Sequence, residues 1–237
     1  MSANVSTKTF RTPFSRDYWR LSLYEMRDVR VLVLAALVTA LRIVVKMLAI
    51  PVGPSLNITF GFVFNAFGSM VYGPAVSLLT GAVSDTLGCL FFSRGEPYFF
   101  PFIFSEMMGS FLFALFLYRA KLTPARIILA RFAVTLVCNL ILDPALLYWQ
   151  YSLMGKGFKL ISLPRVIKNV TLFPAQCLLL ILFLGVLTPI TNRMKLTFSG
   201  DGKLKAEKKH IVLLILLTVL AVALVLLYYF VYLPNKK

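Results

Sequence analysis

Asp85, Arg94 and Glu106 stand within 22 residues of one another in a stretch that is otherwise almost wholly apolar, "SDTLGCLFFSRGEPYFFPFIFSE" (84–106). Carboxylates and an arginine at such spacing could bind a polar ligand by charge-assisted hydrogen bonds, which are the strong ones when water is scarce. The same type of residue recurs at Arg42, Lys46, Asp143, Arg165 and Lys168, with the amides Asn65, Asn139 and Asn169 among them. Catalytic alternatives have little to work with. The chain has no Gly-rich ATP loop and no paired-histidine metal motif, and its one histidine, His210, lies in a polar stretch. The expectation is a binding protein without cofactor or bound metal, and not an enzyme.

The surroundings explain why these groups matter. The chain has 237 residues, of which 59% are hydrophobic and 14% charged, and its mean hydropathy is +0.83. Soluble domains hold roughly half apolar residues, so this composition points to an integral membrane protein. The first apolar run is a full span preceded by polar, basic residues, which does not suit a cleavable signal. Cys89, Cys138 and Cys177 all lie in apolar runs and supply no disulfide framework.

Seven spans are expected, at about 29–49, 57–73, 74–92, 99–119, 125–151, 163–192 and 211–232. Only Tyr72-Gly73-Pro74 separates the second from the third, so they form a tight helical hairpin, with Pro74 in the first turn of a helix, where its missing N–H costs nothing. The predicted class is an all-α membrane protein. It consists of a basic segment 1–28, a six-helix domain 29–192, a basic linker 193–210, and an additional transmembrane helix with a short tail over 211–237.

The net charge of +16 follows the positive-inside pattern better than a nucleic-acid footprint. Lys8, Arg11, Arg16, Arg20, Arg27 and Arg30 precede the first span. Arg119, Lys121 and Arg126 follow the fourth, and Arg193, Lys195, Lys203, Lys205, Lys208 and Lys209 follow the sixth. Alternating spans put all three clusters on one side, so the N-terminus is expected in the cytoplasm, with the chain multi-pass in the cell membrane.

With that orientation, a rise of about 1.5 Å per residue puts Arg42, Lys46, Asp85, Glu106, Asp143, Lys168 and Asn169 at mid-depth or toward the outside. Asn65 and Asn139 fall near the middle. A polar group facing lipid at such depth costs a few kcal/mol, so these groups are expected to face the bundle interior or a cavity. Simple mutual pairing, Arg42 with Asp143 for example, is the structural alternative. The inner half holds only Arg131, which is expected to snorkel. Ala36 and Ala40, with Ala35 beside them, form a small-residue face on the first span where another helix could approach closely.

The segment "GFVFNAFGSMVYGPAVSLLTGAVSDTLGCLFFSRGEPYFFPFIFSEMMGSFLFALFLYR" (61–119) resembles the folate-type S components of energy-coupling factor transporters, small six-helix vitamin-capture subunits. The likeness runs from about Arg27 to Arg193, through "RDVRVLVLAALVTALRIVV", "GEPYFFPF" and "LPRVIKNV". It departs at "NLILDPALLYW", at Glu106 and in the seventh span. The resemblance implies an outward-facing vitamin pocket and docking through the alanine face, Ala35, Ala36 and Ala40, to a transmembrane coupling subunit carrying two ATPases. For a folate, Asp85 or Asp143 would meet the pterin. Tyr98, Phe99 and Phe100 would stack on it, and Arg42, Arg94, Arg165 or Lys168 would hold the anionic tail. Another vitamin, or a membrane-embedded enzyme, is the competing reading.

Overall fold

The structure, a computed structural model, describes residues 9–10, 12–47, 50–53, 56–92, 99–155, 157 and 163–194, and seven helical positions between 211 and 223. Arg94, Tyr98, most of the linker 193–210 and most of the seventh span lie outside the described residues.

The first helix among the described residues is α1 (Arg16–Glu25), inside the segment that the sequence leaves as a basic tail. Ser15 caps it by accepting the Tyr18 N–H at 3.2 Å, and Asp17 sits in the first turn, where the helix dipole favours a negative charge. Helix α2 (Val29–Met47) follows, then a two-stranded antiparallel ribbon, β1 (Ile50–Gly53) and β2 (Leu56–Ile58). This short ribbon interrupts an otherwise helical fold and moves the start of the next helix from 57 to 61.

Helix α3 (Gly61–Phe92) consists of two helical arms joined at Gly73, whose φ of 72° and ψ of 177° are non-helical. The break is a reversal. A Cβ built on Gly61 would lie 3.7 Å from the Lys46 Cγ, and one on Gly88 would lie 3.6 Å from the Lys46 Cδ. In a straight helix those glycines would be about 40 Å apart, so the two arms fold back as the expected hairpin. Thr80 bonds the Tyr72 hydroxyl across the turn at 3.2 Å. Only glycine fits at 73. Its φ is left-handed, and a side chain there would meet the Tyr118 ring at 2.9 Å and the Ser22 Oγ at 3.1 Å.

Helix α4 (Phe102–Leu117) packs along both arms. Beyond it, α5 (Pro124–Val134) passes into a π-helical segment (Thr135–Leu142) and then α6 (Asp143–Leu153) without interruption. Thr123 caps α5, and Pro124 occupies its first position. The π register has a chemical reason at Pro144. This residue has no N–H, and its ring clashes with the carbonyl four residues back in an α-helix. One extra residue per turn relieves that clash, and the Asp143 N–H reaches back to the carbonyl of Cys138. Helix α7 (Leu163–Arg193) completes the bundle.

The core sits between the first arm of α3 and α4, α5 and α7, around Ala66, Phe113, Ile127, Ala130, Cys177, Leu180 and Leu184. Leucines, valines and phenylalanines dominate the outer surface, as befits an outside of hydrocarbon. The runs Gly61–Phe91, Pro124–Leu153 and Arg165–Arg193 are long and apolar enough to cross a membrane, and the first of them is folded into two arms. Helix α2 adds a further apolar rod, interrupted by Arg30, Arg42 and Lys46.

Candidate functional site

The described polar residues among those named from the sequence as site candidates converge at one end of the bundle. This end is formed by the C-terminal half of α2, both ends of α3 and the N-termini of α4, α6 and α7. The Gly73 turn, Arg119 and α1 lie at the other end.

Arg42 is the centre of this cluster and is 3% exposed. One guanidinium nitrogen donates to the Asn65 Oδ1 and the Ser110 Oγ, each at 3.1 Å, and the other pairs with the Glu106 carboxylate. Glu106 also accepts from the Lys46 Nζ at 2.6 Å, and Lys46 lies 4.0 Å from Asp85. The four charges therefore alternate in sign across α2, α4 and the second arm of α3. Their exposure is unequal: the Arg42 side chain is at 4%, but Lys46 and Glu106 are at 26% and 29%. Arg42 locks the network from beneath, and Lys46 and Glu106 remain partly exposed above it.

Arg42 does not pair with Asp143, which corrects the pairing suggested from the sequence. Asp143 instead accepts from the Ser105 hydroxyl, and the Cys138 thiol donates to the Ser105 carbonyl at 3.6 Å. Glu106, Arg165 and Asp85 all lie within electrostatic reach of Asp143, and Lys168 is in reach of both Arg165 and Asp143. The amides close the remaining side: Asn139 donates to Asn169 at 2.9 Å, and Asn169 donates to the Arg165 carbonyl at 2.9 Å. Phe99 contributes an aromatic wall, edge-on to Trp149 with centroids 5.5 Å apart, and Phe100 beside it is exposed.

Sequence reasoning missed Ser105, Ser110 and Gln176. Serine is common in membrane helices, and only its place opposite a charge marks it. Arg131 does not snorkel as expected. It is buried, donates to the Gln176 Oε1 at 3.0 and 2.7 Å, and lies 4.5 Å above the Phe62 ring. The alanine face also divides. Ala36 and Ala40 are exposed, whereas Ala35 is buried at 4% and packs inside with Val31, Val38, Tyr72 and Val76. No group of three or more metal-ligating side chains occurs among the described residues.

Known proteins share this arrangement of helices. The folate transporter FolT of Clostridium novyi (strain NT) is 30% identical over 155 residues, which is 65% of this chain and 88% of that protein. FolT of Leuconostoc mesenteroides subsp. mesenteroides is 29% identical over 160 residues, 66% of this chain and 85% of that one. A crystal structure of FolT bound with folic acid matches with a TM-score of 0.56 at 29% identity, covering 63% of this chain and 88% of the other. The family model described as ECF-type riboflavin transporter, S component, matches residues 26–195. A match of that extent places the chain in this family of multi-pass membrane transport subunits.

Proposed function

We propose that the chain captures folate, or a reduced folate, as the substrate-specific subunit of an ECF-type importer. The observation that carries this reading is the half-open charge network of Lys46, Glu106 and Asp85, held from below by Arg42 and flanked by the Phe99–Trp149 pair. Folate presents a flat pterin with N–H donors on one edge and a glutamate tail with two carboxylates. Carboxylates such as Asp85 or Asp143 suit the donor edge, aromatic side chains suit the ring, and Lys46, Arg165 and Lys168 suit the tail. Two relatives are named folate transporters, and a similar solved structure holds folic acid. All three support this ligand.

In this reading the N-terminus is cytoplasmic, and six helices of residues 29–192 form the capture domain, the two arms of α3 counting separately. The segments 1–28 and 193–210 are basic and cytoplasmic, and 211–237 adds a seventh span. Arg94 and Tyr98, outside the described residues, are included as ligand contacts from the sequence alone. Ala36 and Ala40 face a transmembrane coupling subunit that brings two ATPases, since the chain itself has no nucleotide-binding loop.

The description of the family favours a second reading, in which riboflavin is the ligand. The two separate in one experiment, titration of the detergent-purified protein with folic acid and with riboflavin, without ATP. Saturable binding of folic acid and none of riboflavin is expected. Binding of riboflavin alone would transfer the site to the second reading, and binding of neither would remove vitamin capture by the solitary subunit.

A further inference from the structure

Helix α1 lies at the end of the bundle away from the charged network, and nothing in ligand capture uses it. Its inward strip is Tyr18, Leu21, Ser22 and Glu25. The Tyr18 hydroxyl donates to the Ala114 carbonyl at 3.1 Å, the Ala75 N–H donates to the Ser22 Oγ at 3.0 Å, and Glu25 pairs with Arg119 at 2.8 Å. The helix is thus fixed across the Gly73 turn of α3 and the C-terminal end of α4.

Its outward side is divided lengthwise. Trp19 and Leu23, four residues apart, share one edge and are exposed. Arg16 and Arg20, also four apart, form the adjacent strip and are exposed as well. Trp19 meets Phe111 of α4 with centroids 6.1 Å apart. Phe111 lies six residues before Leu117, the last residue of α4, hence about 9 Å from that helix end. The Trp19 edge is therefore at the level of the lipid-facing flank of α4, with the arginine strip beside it on the water side. Only Met26, Arg27 and Asp28 separate α1 from α2, so α1 cannot leave the membrane surface. An apolar edge at bilayer depth beside a cationic edge in water is the pattern of a helix lying in the interface.

We propose that α1 is seated in an anionic phospholipid headgroup layer, with Trp19 and Leu23 at the acyl boundary and Arg16 and Arg20 on lipid phosphates. The cytoplasmic leaflet is anionic and attracts basic segments next to membrane spans, and assigning α1 to that leaflet rests on the N-inside reading above. A protein approaching from water would meet the arginines but not the Trp19 edge, so a lipid surface fits both strips.

The chain has two tryptophans, so full-length Trp149→Phe reports on Trp19 alone. Reconstituted into nanodiscs, this variant should show Trp19 emission quenched by lipids brominated near the headgroup more than by lipids brominated near the chain ends. Brominated phosphatidylglycerol should quench roughly twofold more than brominated phosphatidylcholine at equal content, because the basic strip enriches anionic lipid. Adding Arg16→Gln and Arg20→Gln should erase that difference and leave the depth profile unchanged. Quenching by aqueous iodide but not by bromolipid would overturn the seat in favour of a water-facing or protein-binding surface. Equal quenching by the two headgroups without the Gln changes would overturn the anionic lipid. Proteolysis at Arg16 and Arg20 from outside intact cells would overturn the topology, and with it the leaflet, while the quenching depth still judges the seat itself.

Discussion

Arg42 on α2 and Glu106 on α4 form an ion pair in the interior of the bundle, and the same guanidinium bonds Asn65 on α3. One side chain thus joins three helices at the base of the capture site. Removing Arg42 takes away all of these bonds at once and leaves Glu106 only its Lys46 partner, and breaking a buried pair typically costs about 3–5 kcal/mol.

Arg42→Ala is accordingly expected to lower thermal stability in detergent substantially. Arg42→Ala combined with Glu106→Ala should lose less than the sum of the single changes, because the two residues are coupled. Lys46→Ala removes a half-exposed charge and should leave the fold largely intact while weakening folic acid binding by about one to two decades, the scale of a charge-assisted hydrogen bond. A stable, fully cooperative Arg42→Ala protein would show that the pair does not hold the bundle together.

Gly81 and Gly88 provide a matched test of helix approach. A Cβ on Gly81 would stand 2.9 Å from both the Glu106 carbonyl and the Met107 Cα, which are backbone atoms that cannot turn aside. Gly81→Ala should therefore push α3 from α4, cost about 1–3 kcal/mol, and reduce ligand affinity by displacing Glu106. A Cβ on Gly88 meets only the flexible Lys46 side chain, at 3.6 Å, so Gly88→Ala should be tolerated. Equal melting temperatures for the two variants would contradict this packing.

Glu25 and Arg119 pair outside the membrane-spanning segments, and burial pushes the Glu25 carboxyl above its ordinary value of 4.5 in spite of the arginine. A raised value in the folded state means that the fold binds this proton more tightly than the unfolded chain does. The resulting stabilisation is present below the ordinary value and is lost as pH rises through the raised one. Relative to Glu25→Gln, the native protein should lose thermal stability as pH increases from about 4.5. A difference between the two proteins that is constant or grows with pH would exclude this account.

The three alanines of α2 should behave differently on substitution by tryptophan. At the buried Ala35 the ring cannot be housed, and the protein should fail to fold. At Ala36 or Ala40, which are exposed, fold and ligand binding should survive while close approach of a partner helix is blocked. Co-purification with the coupling subunit and ATP-driven uptake are the readouts. Normal uptake by a folded Ala36→Trp or Ala40→Trp variant would remove this face from docking.

Much of this protein is visible in its sequence because lipid imposes a cost on each residue separately. A deep charge such as Glu106 or Asp85 has to face inward whatever its neighbours, and Gly73-Pro74 has to turn, so the membrane class, the α3 hairpin and the inward placement of these charges follow from residue types and spacing alone. Pairing is different in kind. Whether Arg42 meets Asp143 or Glu106 depends on the rotation and tilt of α2 and α4. Between helices that are apolar all round, hydrophobicity provides no gradient to set either. The tertiary structure alone therefore assigned Glu106 to Arg42, put Arg131 on Gln176, turned Ala35 inward and Ala36 outward, and laid α1 across the bundle end. It also supplied the 50–58 ribbon, a pairing of two segments too short to announce themselves. Close packing at Gly81 and Gly73 fixed those rotations, and packing is a property of two surfaces together.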